Sequence, residues 1–123
     1  MIENTILIVD DEVEICQLLS KMLEKEGYKV SSAHTIKDGK EIIKEKSFDF
    51  VFLDLNLPDG IGTKLVSTIK KQEKKTKVLV ISAYHGIAEI NSKAKKEIAG
   101  FIGKPFSKPI VLRMLDKIKQ EEG

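Results

Sequence analysis

The stretch that decides the fold is Thr5-Ile6-Leu7-Ile8-Val9-Asp10-Asp11, a nearly continuous apolar run that ends in two carboxylates. Such a run is typical of a parallel strand covered on both faces, because neither side of the strand meets solvent. In open parallel α/β sheets, binding sites lie at the carboxyl ends of the strands. The stretch therefore predicts a buried central strand and a polar site at its end.

The rest of the chain alternates short apolar runs with helical periodicity. Four further strands are predicted at residues 28–33, 48–53, 78–81 and 100–102. Helices are predicted at residues 15–23, 36–43, 65–69, 87–98 and 107–118, the fourth being the least regular. Because parallel strands need right-handed crossovers, a (βα)₅ pattern places helices on both faces of one sheet.

Length and composition indicate one soluble domain. The chain has 123 residues, 41% hydrophobic and 33% charged, which suits a single core. Cys16 is the only cysteine, and its place on an apolar helix face predicts a buried thiol in a reducing compartment. The start does not resemble a signal peptide, and no apolar run reaches the ~18 residues of a membrane span. We expect a single domain over residues 1–123, without an output domain, in the cytoplasm and away from membranes.

Charge is unevenly distributed along the chain. Residues 1–63 carry 7 basic and 13 acidic side chains, whereas residues 64–123 carry 14 and 6. One interpretation is two differently solvated faces. The other is an acidic pocket built by the first half and a basic docking surface on the second. The overall net charge of +2 does not predict direct binding of nucleic acid.

Polar side chains follow four of the predicted strands at the point where each strand ends. They are Asp10-Asp11, Asp54, Ser82 and Lys104-Pro105. Each alone is as readily a cap, a turn residue or a solvated cation. Three carboxylates at one sheet edge repel one another, however, and raise at least one pKa unless a cation compensates. Mg²⁺, which prefers carboxylate and carbonyl oxygens, is the expected cation.

Four segments with these spacings resemble the receiver domains of bacterial and archaeal response regulators. They are Ile8-Val9-Asp10-Asp11-Glu12, Leu53-Asp54-Leu55-Asn56-Leu57-Pro58-Asp59-Gly60, Ile81-Ser82-Ala83-Tyr84 and Phe101-Ile102-Gly103-Lys104-Pro105-Phe106. The resemblance covers essentially the whole chain. It implies a flavodoxin-like α/β fold, doubly wound, with a five-stranded parallel sheet in the order 2-1-3-4-5, and a function in two-component signalling.

The resemblance also implies a role for each residue of the predicted site. Asp54 resembles the aspartate that accepts a phosphoryl group from the phosphohistidine of a sensor histidine kinase or phosphotransfer protein. Asp10 and Asp11 resemble the pair that positions Mg²⁺, with Asp54 and the backbone carbonyl of Asn56 as further metal ligands. Beyond its own phosphorylation and the hydrolysis of its acyl phosphate, the chain is not expected to be an enzyme.

A switch is implied by the same resemblance. Lys104 resembles the lysine that pairs with a phosphoryl oxygen, and Ser82 resembles the hydroxyl residue that moves to hydrogen-bond the group. Phe101 resembles the switch aromatic that fills the vacated space, and a plain core aromatic is the alternative. Lys104-Pro105 resembles the family's cis peptide bond, which is cheap only before proline. The implied output is the surface of the fourth helix, fifth strand and fifth helix, directed at an unknown downstream protein, in a monomer or a phosphorylation-dependent dimer.

Some features depart from the family pattern, and other functions remain as alternatives. Glu97-Ile98 stands where family members often have Gly-Ala, so the fourth helix is expected to end differently or extend. A haloacid-dehalogenase-type phosphohydrolase needs a second acid where Asn56 stands. A flavin-binding module needs a hydroxyl- or glycine-rich loop where Asp10-Asp11-Glu12 stands. A receiver fold that docks partners without phosphorylation is the remaining alternative.

Overall fold

The computed structural model describes residues 4–83, 90 and 92–122. Within them the strands are β1 (Thr5–Val9), β2 (Lys29–Ala33), β3 (Phe50–Asp54), β4 (Asn56–Leu57), β5 (Gly60–Ile61), β6 (Lys77–Ser82) and β7 (Gly100–Gly103). The helices are α1 (Val13–Glu24), α2 (Ile36–Glu45), α3 (Lys64–Gln72), α4 (Ser92–Lys96) and α5 (Lys108–Glu122). Five strands pair in parallel in the order β2-β1-β3-β6-β7, and β4 and β5 form a separate small hairpin. The predicted order 2-1-3-4-5 is therefore confirmed, with β6 and β7 as its fourth and fifth strands.

Two apolar layers cover the sheet and explain why its central strands are apolar on both faces. Leu7 and Val9 of β1 join Leu53 of β3 in the layer under α2 and α3. Ile6 and Ile8 of β1 join Phe52 and the buried faces of α1 and α5 in the other layer. The pleat of a strand sends successive side chains to opposite faces, so a strand between two layers of helices has no polar side.

The edge strand β2 is more polar than the centre, as its sequence predicts, with only Ala33 buried. Boundaries elsewhere differ from prediction. The third strand begins at Phe50 rather than Phe48 and continues through Asp54, which shares a register position with Ile81 of β6. Asp54 is thus held within the sheet ladder, not in the loop that follows it.

The fourth helix ends at Lys96, two residues before its predicted end at Ile98, and its predicted start at residue 87 lies outside the described residues. Residues 84–89 and 91, including Tyr84 and His85, lie outside the described residues. The helix ends at Lys96 and does not extend, and its last turn tightens as the backbone N–H groups of Glu97 and Ile98 donate to carbonyls three residues earlier. Ile98 is then buried against the α2–α3 layer.

Candidate functional site

The carboxyl ends of the strands bring most of the predicted polar residues together. Asp10 follows β1, Asp54 ends β3 and Ser82 ends β6, and they are 0%, 5% and 0% exposed, respectively. Lys104 follows β7, and its peptide bond to Pro105 is cis. Buried charged side chains need partners, because an ion without one in a low-dielectric interior is costly. The partners are found within this group.

Lys104 joins the carboxylates of the site. Its Nζ lies 2.9 Å from Asp10 Oδ2, 3.3 Å from Asp54 Oδ2 and 3.3 Å from Glu12 Oε1. Burial alone would lower the pKa of the Lys104 ammonium, but its close ion pair with Asp10, followed by that with Asp54, outweighs burial and holds the pKa above its usual value. Lys104 therefore stays charged and holds two aspartates from different strands.

The charged form of the Asp54 carboxyl remains disfavoured despite its ion pair with Lys104. Burial is the largest influence and raises the pKa of its carboxyl, and the negative charge of Asp10 raises it further. Lys104 opposes both effects, as does the backbone N–H of Asn56, which donates to Asp54 Oδ1 at 3.3 Å. One ammonium does not balance two buried carboxylates, so the site favours a second cation.

Asp10 provides the clearest indication of where such a cation fits. Its Oδ1 accepts a hydrogen bond from the backbone N–H of Glu12 at 2.8 Å. Its Oδ2 is buried and accepts no well-aligned hydrogen bond within the described part of the chain, although the Lys104 ammonium lies close by. The oxygen therefore has a cationic neighbour and can still accept from a second cation.

Three acidic side chains cluster at the end of β1. Carboxylate oxygens of Asp10, Asp11 and Glu12 lie within 4.8 Å of one another, with Asp10 buried and the other two exposed. Asp54 is outside this group of three and is linked to it through Lys104. Asn56, whose carbonyl is a predicted metal ligand, is exposed at the start of β4. Glu12 was not singled out from the sequence, although its place directly after the aspartate pair could have indicated it.

The two predicted switch residues lie on the neighbouring strands, Ser82 at the end of β6 and Phe101 within β7. Ser82 Oγ donates to the carbonyl of Ala83 at 2.9 Å, and the Ser82 carbonyl accepts from the backbone N–H of Lys104. Phe101 pairs with Val80 across β7 and β6 and is half-buried against the α2–α3 layer. Ser82 therefore lies at the same end of the sheet as Asp54, next to Ile81, the register partner of Asp54, and Phe101 lies one strand away, partly in the core.

Two side chains beneath β1 also contact the site and were not expected there. Nδ1 of His34 lies 2.8 Å from the backbone carbonyl of Asp10, and Cys16 Sγ lies 3.3 Å from the same oxygen. Because a carbonyl only accepts, His34 must donate from Nδ1. Cys16 is buried, as predicted, and burial followed by the charge of Asp10 raises the pKa of its thiol to about 11. These contacts fix the backbone that carries Asp10.

For the loop after Asp54, the sequence predicts only a break in secondary structure. The structure shows the contacts that hold this loop in place. The carboxylate of Asp59 accepts hydrogen bonds from the backbone N–H groups of Ile36 and Lys37, at 2.9 and 3.0 Å, at the start of α2. These hydrogen bonds lower the pKa of Asp59. At Gly62, an added Cβ would lie 1.9 Å from the carbonyl oxygen of Asp54. The loop therefore packs directly on the backbone of Asp54.

A doubly wound sheet with a charged pocket at its carboxyl ends defines a flavodoxin-like α/β domain, and comparison with known proteins identifies its family. The family model of the response regulator receiver domain matches residues 6–116. The chain therefore belongs to the response regulator receiver domains. This match favours the receiver interpretation over the phosphohydrolase and flavin-binding ones.

Similar proteins agree with this assignment. The non-phosphorylated HemR receiver domain from Leptospira biflexa is 34% identical, with a TM-score of 0.82 over 94% of this chain and 94% of that chain. A response regulator protein from Burkholderia pseudomallei, solved with a phosphorylated aspartic acid, a calcium ion and citrate, is 25% identical, with a TM-score of 0.82 over 98% of this chain and 74% of that chain. The photosynthetic apparatus regulatory protein RegA of Rhodobacter capsulatus is 26% identical over 84% of this chain.

The chain spans about half the length of the RegA and CtrA relatives that it matches, 56% and 52%, respectively. It also covers 22% of the response regulator protein PilR of Pseudomonas aeruginosa, at 34% identity. Among the residues that the structure describes, no helix has both the length and the apolar character needed to span a bilayer.

Proposed function

We propose that this receiver domain accepts a phosphoryl group on Asp54 from the phosphohistidine of a sensor histidine kinase or phosphotransfer protein, with Mg²⁺ as its cofactor. The observation that carries the proposal is the ammonium of Lys104 between the buried carboxylates of Asp10 and Asp54. A cation held beside an aspartate nucleophile suits phosphoryl transfer, in which alignment and charge neutralisation supply most of the catalysis.

The donor set of the pocket fits a hard divalent ion. Asp10 Oδ2 is buried with accepting capacity left over, and Asp11 is exposed beside it. We assign Asp10, Asp11, Asp54 and the backbone carbonyl of Asn56 as the groups that hold Mg²⁺, with Glu12 nearby. When bound, Mg²⁺ supplies positive charge for the phosphoryl oxygens and orients them.

The residues of the chain itself then carry the reaction. A carboxylate oxygen of Asp54 forms the new bond to phosphorus as the bond from phosphorus to the histidine nitrogen breaks, and the imidazole leaves with the electron pair. The backbone N–H of Asn56 and the ammonium of Lys104 hold one Asp54 oxygen each, which fixes the carboxylate for in-line attack. Lys104 then exchanges this contact for a phosphoryl oxygen. Water later hydrolyses the acyl phosphate.

The switch proposal rests on the local bonding of Ser82. Its Oγ donates to the adjacent Ala83 carbonyl, a contact that a phosphoryl oxygen can replace. A charged acceptor forms a stronger hydrogen bond than a neutral carbonyl, so phosphorylation draws the hydroxyl inward. Phe101, half-buried on the neighbouring strand, moves into the vacated space and alters the surface of α4, β7 and α5 for a downstream protein. We place this signalling event in the cytoplasm.

Incubation with acetyl phosphate and Mg²⁺, followed by intact-mass analysis, tests the proposal. The expected result is an adduct of ~80 Da that disappears with chelator and in Asp54→Asn. Asp38→Asn, which removes an exposed carboxylate on α2, is the matched control and should be phosphorylated normally. A native protein that takes up no phosphoryl group, or an Asp54→Asn protein that still does, would rule out Asp54 as the acceptor.

A further inference from the structure

A second concave region lies at the end of the sheet remote from Asp54. This groove of about 770 Å³ is bounded by the ends of α3 and α4 and by the starts of β6 and β7. It is lined by Ser67, Lys70, Lys71, Lys74, Lys77, Lys96, Glu97, Ile98 and Ala99. Lys77 begins the strand that Ser82 ends, which separates the groove from the phosphoryl site by about 16 Å along the strand.

The basic groove, as we call these nine residues, concentrates positive charge. Five of them are lysines and one is glutamate, so the lining carries a net charge of +4. Lys70 is crowded enough that burial, and then the charge of Lys77, lower the pKa of its ammonium. Its Nζ donates to the backbone carbonyls of Lys74 and Thr76, which fixes one cation in the wall of the groove. The groove is thus a shaped region of positive potential rather than a scatter of surface lysines.

The chemistry of the lining selects among anionic ligands. None of the nine lining residues is aromatic or an arginine, so the groove offers neither a stacking surface for nucleobases nor the planar fork that grips a phosphate. Lysines on flexible stems instead accommodate carboxylates at variable spacing. The buried Ile98 and the aliphatic stems add an apolar floor. These features suit a peptide that carries several carboxylates.

We propose that the basic groove docks an acidic segment of a partner protein. The inference goes beyond the phosphoacceptor function, because no lining residue belongs to the site around Asp54. It also gives a role to Glu97-Ile98, the pair that departs from the family pattern. Ile98 turns inward to form the floor, and Glu97 places one negative charge in the lining, which disfavours some registers of an acidic peptide and so adds specificity.

Fluorescence anisotropy with a labelled peptide of about ten Glu and Asp residues tests the proposal. The groove variant is Lys71→Glu/Lys74→Glu, and the matched control is Lys40→Glu/Lys44→Glu, which makes the same charge change on exposed positions of α2. We expect the groove variant to lose about tenfold in affinity and the control to stay within about twofold. Amide shifts in NMR spectra should be confined to residues 67–77 and 96–99.

Each other outcome counts against the proposal. An equal loss in both double variants means that only overall charge is sensed. No binding of the peptide at low ionic strength, or tighter binding of a single-stranded oligonucleotide or of inorganic tripolyphosphate, assigns the groove to no partner or to a different ligand. Phosphorylation by acetyl phosphate should be unchanged in the groove variant, so failure of the docking proposal leaves the phosphoacceptor proposal intact.

Discussion

At the carboxyl end of the sheet, the ammonium of Lys104 lies between two buried carboxylates, whereas at the amino end the side chains of Lys71 and Lys74 are exposed around a groove. The first arrangement couples its charges strongly, because little solvent screens them. The second leaves Lys71 and Lys74 largely to solvent and acts through the summed potential of the groove. The same residue type therefore contributes to folding at one end of the molecule and to recognition at the other.

Identical substitutions at the two ends should separate these contributions most clearly. Lys104→Met leaves the carboxylates of Asp10 and Asp54 without their cation, and we expect the free energy of unfolding to fall by about 3 kcal/mol. Lys71→Met should change it by no more than about 0.5 kcal/mol. Urea denaturation measures both. Added Mg²⁺ should recover part of the loss in Lys104→Met, since an ion that binds only the folded state stabilises it. Equal losses of unfolding free energy in the two variants would contradict this contrast between the two ends of the sheet.

A smaller effect is expected from crowding the backbone of the acceptor. Gly62→Ala puts a methyl group against the carbonyl oxygen of Asp54, where no rotamer change relieves the contact. We expect a loss of about 2 kcal/mol in unfolding free energy and slower phosphorylation by acetyl phosphate. The matched control is Gly103→Ala at the end of β7, where an added Cβ meets no atom within 4 Å.

These glycine variants also test how closely Asp54 must be held. If Gly62→Ala is destabilised but phosphorylated at the native rate, the loop supports folding alone. If Gly103→Ala is as damaging as Gly62→Ala, the close approach at Asp54 is not the cause of either effect.

The fold could be predicted from the sequence because the central strands are continuous apolar runs. Residues 6–9 and 78–81 are apolar without interruption, which is typical of strands between two layers of helices. The end of the fourth helix could not be predicted in this way. Ser92–Lys96 buries no residue, so it carries no periodic apolar face from which bounds can be predicted. Just beyond its end, Ile98 is buried in the core, a tertiary contact that periodicity within the helix does not reveal.

For the site, the sequence indicated the polar residues that directly follow strands and missed those that support them. Parallel pairing alone brings Asp10, Asp54 and Lys104 to one edge. The contacts of His34 with the Asp10 carbonyl and of Asp59 with the start of α2 depend on loop paths, which strand order does not determine. Glu12 directly follows the aspartate pair in sequence, but only the three-dimensional positions of Asp10, Asp11 and Lys104 show that its carboxylate reaches the cluster.

The alkylation rate of Cys16 should report on the charge at the carboxyl end of the sheet. Its thiol pKa is raised from 9.0 to about 11, so at pH 8 only about one thiol in a thousand is ionised in the folded protein, against about one in ten after unfolding. Alkylation by iodoacetamide should therefore be at least about a hundredfold slower in the folded state. Because the thiol ionises at a lower pH in the unfolded chain, the free energy of unfolding also falls as the pH rises from 9.0 towards 11.

Replacing one neighbouring charge should shift this rate. Burial is the main cause of the raised pKa of Cys16, and the charge of Asp10 is the next. Asp10→Asn should therefore lower the thiol pKa and speed alkylation, whereas Asp49→Asn, which neutralises an exposed carboxylate at the start of β3, should not. Equal rates in the two variants would mean that burial alone protects Cys16. The charges at the carboxyl end of the sheet would then interact less strongly than the position of Lys104 between two aspartates implies.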